Sequence, residues 1–377
     1  MNLNSNTILI TAFGFQADYI REITNAFSRA GFKTILIGSN HHNKKWYEDK
    51  VEFINLRGDD TPKRSTVKKI KDLIIYFIKL YKFIVKNKIK KIYDTSIGRP
   101  LIIILNYLLL NLLRRKIILT VHNVLPHSEY TTKNKILYLI IYKFLTSKLI
   151  VHTSYIKNQL VNIFNIPENK IIVAPHGTYS IKDNYFINKQ NARKKLNLEQ
   201  NEFVILVFGQ QYPYKGTDLL IKNYLNKIDF EFKLIIRGAG SKSYIETLIN
   251  IIEKSNYKHN IDYDFNYVKE TEVEYYFKSC DLVCLPYLEG SQSGVLFMSY
   301  AYGRPVLVSN VGNFKYDIIE GLTGEFFSLN DCEDFKDKLL RIKNNLSSYD
   351  ENKIKEFANE NYSWDKFADI IIKNFYC

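Results

Sequence analysis

A short loop of glycine, serine and glutamine in the second half of the sequence has the composition of an anion-binding turn. It follows an apolar run that ends at Pro286 and leads into an apolar helix predicted over residues 295–302. The start of a helix presents backbone N–H groups and the positive end of the helix dipole, which together attract phosphate. An ordinary strand–loop–helix turn with serine caps is the alternative. The residues predicted to contact an anion are Gly290, Ser291, Gln292, Ser293, Gly294 and Val295.

Two further loops that follow apolar runs carry cationic side chains. Lys215 lies in the segment 209–218, GQQYPYKGTD, directly after a strand predicted over residues 203–208. An ammonium group there would neutralise a diphosphate without a metal ion, although a solvated loop lysine fits the same position. Arg237 ends a second predicted strand, before a glycine-rich turn at residues 238–240. It is a candidate for a nucleotide contact or for a contact between domains, and simple turn chemistry is its alternative.

Strands and helices alternate in both halves of the chain. Short apolar runs separated by helical patterns predict parallel sheets with crossover helices, and the length of 377 residues fits two domains. Polar residues dominate between residues 183 and 201, where we place the linker. Open α/β sheets bind ligands at the carboxyl ends of their strands. The sequence thus predicts the α/β class, with two doubly wound, Rossmann-like domains that face each other across a cleft.

The three loops, in this order and spacing, resemble the second domain of the family-4 retaining glycosyltransferases of the GT-B fold. The family pattern is G-R-x(4)-K-G-x-D, then a strand ending in G-x-G, then an S-G-V loop that leads to A-x-G-x-P-V. Further matches follow at residues 321–325 (GLTGE) and 362–365 (YSWD). In the first half, residues 121–127 (VHNVLPH) and 175–178 (PHGT) look like the family's H-N-x-x-P-H and H-G-x elements.

The resemblance implies a division of the chain into three parts. Residues 1–184 are expected to form an N-terminal Rossmann-like domain on the acceptor and membrane side. Residues 201–360 are expected to form the C-terminal Rossmann-like domain that binds the nucleotide-sugar. Residues 361–377 are expected to form a helix that packs back toward the N-terminal domain.

Donor binding departs from the family pattern at two places. The arginine that the family has before the lysine is Gln210 here, which leaves Lys215 as the cation for the phosphates. The family also pairs two glutamates with seven residues between them. In this sequence Met298 stands at the second position, and Gly290 or Glu289 stands at the first.

The mechanism that the resemblance implies depends on stabilising the leaving group. Lys215 and the N–H groups near residues 293–295 would stabilise the departing diphosphate, and Glu289 would contact the sugar. His122 lies where the resemblance puts a histidine that orients the donor sugar or helps the acceptor proton leave, and a hydrogen-bonded structural histidine is the alternative. The remaining implied contacts are Gly14 near the donor phosphates and Asn123, His127 and Glu129 on the acceptor side.

Positive charge is concentrated in the first half of the chain. Residues 1–190 hold 30 lysine and arginine residues against 12 acidic residues, whereas the rest holds 23 against 27. The segment 63–91 repeats lysine at near-helical spacing opposite apolar residues, which predicts a cationic amphipathic helix suited to anionic lipid head groups. A core-packed helix with a solvated lysine face is compatible with the same pattern. The lysines assigned to the membrane are Lys68, Lys71, Lys79, Lys82 and Lys86.

The apolar stretch 101–113 is the most hydrophobic part of the sequence. It contains 13 residues, two of them asparagines, whereas a bilayer span takes about 20 residues. We therefore expect a helix buried in the domain rather than a membrane span.

Together with the resemblance, these features predict a retaining glycosyltransferase. The expected reaction moves a sugar from a UDP- or GDP-sugar to a lipid-linked or polysaccharide acceptor in the synthesis of a cell-surface glycan such as O-antigen, capsule or exopolysaccharide. No cofactor and no metal are expected, because the sequence pattern holds no carboxylate cluster or histidine–aspartate ligand set. The expected location is cytoplasmic, peripheral on the inner face of the cell membrane, with segment 63–91 on its anionic surface.

Two other functions fit parts of the sequence. A nucleotide-sugar epimerase has the same two-domain architecture, but such enzymes usually need paired acidic groups that the pattern lacks. A basic nucleic-acid-binding protein fits the charge of the first half. However, the sequence has no helix-turn-helix, RNA-recognition or zinc pattern, so no nucleic-acid partner is expected.

Overall fold

The chain divides into two compact units. The computed structural model describes residues 7–12, 17–59, 61, 64–95, 99–125, 131–181, 187–290 and 293–376. The first unit comprises Met1–Gly177 and Tyr362–Cys377, and the second comprises Thr178–Asn361. Each contains a parallel sheet whose strands are connected by helices, which confirms the predicted α/β class with two Rossmann-like sheets.

The first unit is built on a parallel sheet. Where the chain is described, this sheet has seven strands in the order β3-β2-β1-β4-β5-β6-β7. Its strands are β1 (Thr7–Thr11), β2 (Lys33–Gly38), β3 (Val51–Asn55), β4 (Lys91–Asp94), β5 (Lys116–Thr120), β6 (Lys148–Val151) and β7 (Ile171–Val173). Isoleucine, leucine and valine dominate these strands because a parallel sheet covered on both faces needs apolar side chains at successive positions.

Helices cover both faces of the first sheet. In chain order they are α1 (Ala17–Arg29), α2 (Thr66–Lys86), α3 (Pro100–Leu112), α4 (Thr132–Ile140) and α5 (Ser154–Phe164). Helix α1 packs on one face, and α2 to α5 pack on the other. Successive strand residues serve opposite faces, so Leu9 joins the core under α2 to α5 whereas Ile8 and Ile10 join the core under α1.

The second unit has a parallel sheet of its own. Among its described residues this sheet has six strands in the order β10-β9-β8-β11-β12-β13. They are β8 (Phe203–Phe208), β9 (Phe232–Arg237), β10 (Ile261–Asp264), β11 (Leu282–Leu285), β12 (Val306–Ser309) and β13 (Gly324–Phe327). The helices are α6 (Lys189–Lys195), α7 (Thr217–Leu219), α8 (Lys242–Lys254), α9 (Glu270–Ser279), α10 (Gly294–Ala301), α11 (Phe314–Asp317), α12 (Cys332–Asn344) and α13 (Glu351–Asn361).

The last helix, α14 (Trp364–Ile371), belongs to the first unit. It packs beside α1, where Arg29 Nε donates a hydrogen bond to Asp365 Oδ1 at 2.8 Å. Its buried side chains join the core under α1. The indole of Trp364 lies so close to Gly177 that a Cβ on this residue would stand 2.4 Å from the ring, so only glycine fits there.

Helix α3 covers the apolar stretch but is buried on one side only. Tyr107 and Leu110 face the core, whereas Leu105 and Leu112 are 65% and 78% exposed. The expectation of a buried helix is therefore wrong for the outward side of α3. No helix in the described part of the chain is long and apolar enough to cross a membrane.

Helix α2 corresponds to the basic segment. Ser65 caps its start by accepting a hydrogen bond from the amide of Lys68. The residues that face the core are Tyr76, Leu80 and Ile84. The five lysines assigned to the membrane are exposed, and so are Ile70, Ile74 and Ile78, which the sequence pattern puts on the opposite face. The outward surface of α2 is thus a mixture of lysine and isoleucine.

A buried ion pair anchors α6 to the second sheet. Arg193 is 2% exposed, and its Nη2 donates to Asp281 Oδ2 at 2.7 Å while its Nε donates to the carbonyl of Ser279 at 3.0 Å. The same carboxylate accepts from the amide of Val204 at the start of β8. Lys189 also contacts Asp281, but its side chain is 41% exposed. The buried arginine is therefore the main partner of this carboxylate.

We predict that Arg193→Met lowers the free energy of unfolding by about 3 to 5 kcal/mol. The substitution removes the buried partner of the Asp281 carboxylate and leaves it only the partly exposed Lys189. The matched variant Lys189→Met should cost less than about 1 kcal/mol, because solvent screens its pair. Urea unfolding followed by circular dichroism measures both. Equal losses in the two variants would show that α6 is not anchored through Arg193.

Candidate functional site

Three loops leave one edge of the second sheet. They follow β8, β9 and β11, which are neighbouring strands. The loops touch through their backbones: a Cβ on Gly238 would stand 2.2 Å from the carbonyl oxygen of Gly209, and one on Gly216 would stand 2.0 Å from that of Pro286. Gly209, Gly216 and Gly238 also have positive φ angles of 96°, 67° and 133°. Glycine is needed at these positions for both reasons.

Lys215 lies between the loops that follow β8 and β11. Its Nζ donates a hydrogen bond to the hydroxyl of Tyr287 at 2.9 Å and stands 4.9 Å from the centre of that ring. Burial lowers the pKa of Lys215, but Tyr287 and Tyr214 raise it, and the net direction is upward. Lys215 is therefore a positively charged ammonium group at neutral pH.

The start of α10 lies beside this ammonium group. The hydroxyl of Ser293, the residue before the helix, is 3.0 Å from the hydroxyl of Tyr287 and makes no capping bond to α10. The amides of the first helical turn therefore receive no cap from Ser293. Val295 lies against Gly209: a Cβ on that glycine would stand 3.0 Å from Val295 Cγ2 and 3.6 Å from Lys215 Nζ. An ammonium group and a helix N-terminus thus meet at one place.

Several residues that the sequence singles out lie at this place. Lys215, Ser293, Gly294 and Val295 are brought together there. Gly290 is near the ring of Tyr287, since a Cβ on it would stand 3.3 Å from Cδ2. The side chains of Gln210 and Glu289 are exposed at the rim. The candidates Gly14, His127, Glu129, Ser291 and Gln292 lie outside the described residues.

Arg237 is engaged within its own unit. Its Nη2 donates to Asp262 Oδ2 at 2.7 Å, and its guanidinium group stands 5.1 Å from the centre of the Tyr276 ring. Burial lowers its pKa, while the hydrogen bonds to Asp262 and Tyr276 raise it, with a net upward shift. Its Nε is buried without a hydrogen-bond partner among the described residues. The guanidinium group therefore ties the end of β9 to β10 through Asp262.

Gln211 is a structural residue of the site that the sequence analysis does not identify. It is fully buried, its Nε2 donates to the carbonyl of Gly209 at 2.8 Å, and its Oε1 accepts from Thr217 Oγ1 at 2.8 Å. These bonds hold the glycine turn that Lys215 follows. A polar residue inside a glycine-rich turn directly after a buried strand is the signal that could have identified it.

Three histidines lie at one edge of the first sheet. His122, His152 and His176 follow the neighbouring strands β5, β6 and β7. Tyr19 of α1 stands among them, with ring centres 4.9, 5.6 and 5.5 Å from those of His122, His152 and His176. Trp364 closes the cluster, 4.7 Å from His176. His152 and Tyr19 are absent from the sequence-based candidates, although His152 follows β6 as His122 follows β5.

Hydrogen bonds to carbonyl groups fix the tautomers of this histidine cluster. His122 Nε2 faces the carbonyl of Thr95 at 3.0 Å, so this nitrogen carries the proton. In His152 the proton is on Nδ1, which faces the carbonyl of Ala174 at 3.0 Å, and Nε2 accepts from the hydroxyl of Tyr19 at 2.8 Å. These two rings are therefore held in fixed orientations.

Burial keeps the cluster uncharged. It lowers the pKa of His122 and takes that of His152 well below the usual value. Burial likewise lowers the pKa of His176 to about 3. His122 is half-buried, and Asn123 beside it is exposed. At neutral pH the cluster can accept or donate hydrogen bonds, but it supplies no positive charge.

Among the residues that the structure describes, no group of three or more histidine, cysteine, aspartate or glutamate side chains is placed to hold a metal ion. At the edge of the second sheet, Lys215 supplies a cation beside the start of α10. This arrangement can bind an anion through hydrogen bonds and charge.

Comparison with known proteins places both units in sugar-transferring families. A family model described as Glycosyl transferases group 1 matches residues 188–364, and one described as Glycosyltransferase Family 4 matches residues 16–179. A glycosyltransferase from Methanocaldococcus jannaschii is 29% identical over 66% of this chain and 65% of that protein. The chain thus spans just under two thirds of the length of this relative.

Two further similarities concern a bacterial enzyme and a solved structure. The Escherichia coli UDP-Gal:alpha-D-GlcNAc-diphosphoundecaprenol alpha-1,3-galactosyltransferase is 26% identical over 67% of this chain and 68% of that protein. The Anabaena protein Alr3699/HepE, solved in complex with UDP and glucose, matches with a TM-score of 0.74 at 12% identity, over 97% of this chain and 98% of that chain. At this identity the structural likeness shows the fold alone.

The depressed pKa of His176 predicts that the first unit loses stability in mild acid. Below about pH 6.5, His176 binds a proton in the unfolded chain but stays neutral in the folded chain. The contribution of neutral His176 to the free energy of unfolding is therefore complete above pH 6.5 and is lost as the pH falls toward 3. From pH 7 to pH 5, wild type should lose about 2 kcal/mol more than His176→Asn. Urea unfolding followed by tryptophan fluorescence measures the difference.

His259→Asn supplies the control for this measurement. His259 is an exposed histidine of the second unit, so its variant should follow wild type over the same pH range. An identical pH dependence for wild type and His176→Asn would contradict the assignment of a buried neutral His176.

Proposed function

The chain belongs to the group 1 glycosyltransferases, and from that premise we propose that it moves a sugar from a UDP- or GDP-sugar to a lipid-linked or polysaccharide acceptor, with retention of configuration. The meeting of Lys215 with the start of α10, which Ser293 does not cap, supports this proposal most directly. A nucleoside diphosphate carries the negative charge that such a place binds.

Lys215 would act on the leaving group. Departure of the sugar leaves negative charge on the diphosphate, and an ammonium group already in position stabilises that charge without reorganisation. The hydroxyls of Tyr287 and Ser293 hold Lys215 near the first turn of α10, so the amides of Gly294 and Val295 would share the same phosphate oxygens. In this mechanism the lysine and the amides serve the role that a divalent metal serves elsewhere, and no cofactor takes part.

Other residues would bind the remainder of the donor. Arg237 ends β9, at the edge of the sheet from which the three loops leave, and we assign it to the nucleotide. Gln210 and Glu289 are exposed at the rim of the same edge, where we assign them to the phosphates and to the sugar. Gln210 stands where the family has an arginine, and Glu289 is shifted by one residue from the position of the family's first glutamate.

His122 is our candidate for the residue that handles a hydroxyl group of the sugar or of the acceptor. Its proton is on Nε2, and burial lowers its pKa, so the imidazole is uncharged at neutral pH. A neutral imidazole can accept a hydrogen bond from a sugar hydroxyl and help an acceptor proton leave. Tyr19 and His152 would keep the rings of the cluster in position.

A lipid-linked acceptor in cell-surface glycan synthesis is the class that we propose. The E. coli relative is named for a galactosyltransferase acting on a diphosphoundecaprenol-linked sugar. The basic helix α2 presents Lys68, Lys71, Lys79, Lys82 and Lys86 to solvent. Anionic head groups attract such a helix, so we propose that the protein works on the inner face of the cell membrane rather than on nucleic acid.

We predict that Lys215→Met raises the activation barrier of sugar transfer by about 2 to 4 kcal/mol, because the diphosphate loses its preorganised cation. The control is Lys222→Met, which removes an exposed lysine shortly after the same loop and should leave turnover unchanged. Turnover is followed with labelled UDP- and GDP-sugars in the presence of membrane lipid extract.

Binding of UDP and GDP gives a second, independent measurement. Whichever nucleotide raises the melting temperature of wild type should raise that of Lys222→Met equally and that of Lys215→Met much less. Normal turnover together with normal nucleotide stabilisation in Lys215→Met would remove this residue from the mechanism.

A further inference from the structure

Exposed apolar side chains are concentrated on one face of the first unit. Among the described residues, fourteen of the twenty exposed large hydrophobic side chains lie on α2, on α3 and its end, and on α4 and the turn that follows it. We call these fourteen the apolar platform. They are Val67, Ile70, Ile74, Ile75, Ile78, Val85, Leu101, Leu105, Leu108, Leu109, Leu112, Leu113, Ile136 and Phe144.

The three helices of the apolar platform form one layer. All of them pack on the same face of the first sheet, in one core. Tyr81 of α2 donates a hydrogen bond to Asn106 of α3 at 2.8 Å. Asn111 of α3 donates to the carbonyl of Leu145, after α4, at 3.0 Å. The exposed side chains therefore stand on neighbouring helices of one layer.

Helix α3 is the most apolar part of this layer. Leu101, Leu105, Leu108 and Leu112 recur at spacings of three and four, so they form one stripe along the helix. Within Pro100–Leu112 there is no charged residue. Water surrounds these leucines in the isolated chain, which is unfavourable, and contiguous patches of this kind mark sites of association.

Cations surround the apolar stripe. Arg99 is exposed just before α3, and Arg114 and Lys116 are exposed just after it. On the neighbouring helix α2 the exposed lysines stand among the isoleucines. Long cationic side chains beside an apolar strip can place their charges at lipid head groups while the strip enters the acyl region.

We propose that the leucine stripe of α3 inserts into the acyl region of an anionic phospholipid bilayer, with the cations of α2 and of the ends of α3 on the head groups. A second copy of the chain is a poorer occupant, because a symmetric pairing of this face would oppose lysine to lysine. The 13-residue helix is too short to span a bilayer, so it lies in the plane of the interface.

This inference rests on the proposed function, because insertion would bring the enzyme to the membrane interface, where a lipid-linked acceptor lies. It adds to the proposed contact between the α2 lysines and lipid head groups, because lysines hold a protein at the membrane surface whereas leucines anchor it in the acyl region. Electrostatic attraction weakens as salt screens the charges, but burial of leucine does not. Salt therefore separates the two contributions.

The test measures binding of the full chain to phosphatidylcholine vesicles with and without phosphatidylglycerol, at low and high salt. Leu105 and Leu112 are 65% and 78% exposed, so Leu105→Asn and Leu112→Asn should leave the fold intact. Each should weaken binding to the anionic vesicles by about tenfold, and the double variant by more. Ile249→Asn, on α8 of the second unit, is the matched control and should bind as wild type does.

A lysine double variant and a fluorescence measurement of insertion depth complete the test. Lys79→Gln with Lys82→Gln should weaken binding at low salt and leave the residual binding at high salt unchanged. Leu109→Trp should gain fluorescence that brominated lipids quench, whereas wild type should not be quenched.

Three results would overturn the insertion. They are vesicle binding that is unaffected by the leucine variants, an absence of vesicle binding by wild type, and dimerisation of wild type that the leucine variants abolish. Each variant is also assayed for stabilisation by UDP or GDP. If nucleotides bind but vesicles do not, the insertion is contradicted and the proposed sugar transfer is not. If vesicles bind but nucleotides do not, the proposed sugar transfer is contradicted and the insertion is not.

Discussion

The hydrogen bond from the ammonium group of Lys215 to the phenol of Tyr287 is the interaction on which the candidate site depends. It ties the loop after β8 to the loop after β11 and holds a positive charge beside the start of α10. The positive end of a helix dipole and an ammonium group repel each other. Two neutral hydroxyls, those of Tyr287 and Ser293, stand between them and let both remain. A diphosphate bound there would relieve this repulsion.

The two units handle charge in opposite ways. In the second unit, tyrosine hydroxyls raise the pKa of Lys215 against the effect of burial, so the site edge is cationic. In the first unit, burial dominates and lowers the pKa of His122, His152 and His176, so the cluster is neutral. A cation suits a departing diphosphate, and a neutral imidazole suits a hydroxyl proton. Under the proposed function, the second unit would act on the leaving group and the first unit on a hydroxyl group.

Sequence patterns predicted the second unit well, because its signals are local. The strand expected at 203–208 has these bounds in the structure, and the second predicted strand ends at Arg237 as expected, since apolar runs followed by glycine have few alternatives. The role of Gln211 escaped prediction because it depends on a turn whose shape the sequence does not specify. Arg237 could not be resolved either, because its partner Asp262 lies on a neighbouring strand and is brought to it only by the sheet.

The first unit was harder to predict, because burial there depends on packing between distant elements. The strands of its sheet follow from the alternation of apolar runs and helices, but the outward leucines of α3 do not. Hydrophobicity alone indicates a core helix, and only the position of α3 beside α2 and α4 leaves one side uncovered. Likewise, His152 and His122 lie close together because β5 and β6 are neighbours, a pairing that no local motif specifies.

A crystal structure of the chain with UDP or GDP bound would show where the diphosphate lies. We predict diphosphate oxygens within hydrogen-bonding distance of Lys215 Nζ and of the amides of Gly294 and Val295, with Lys215 turned from Tyr287 toward the phosphate. A nucleotide whose diphosphate lies elsewhere, with Lys215 still bonded only to Tyr287, would contradict this prediction.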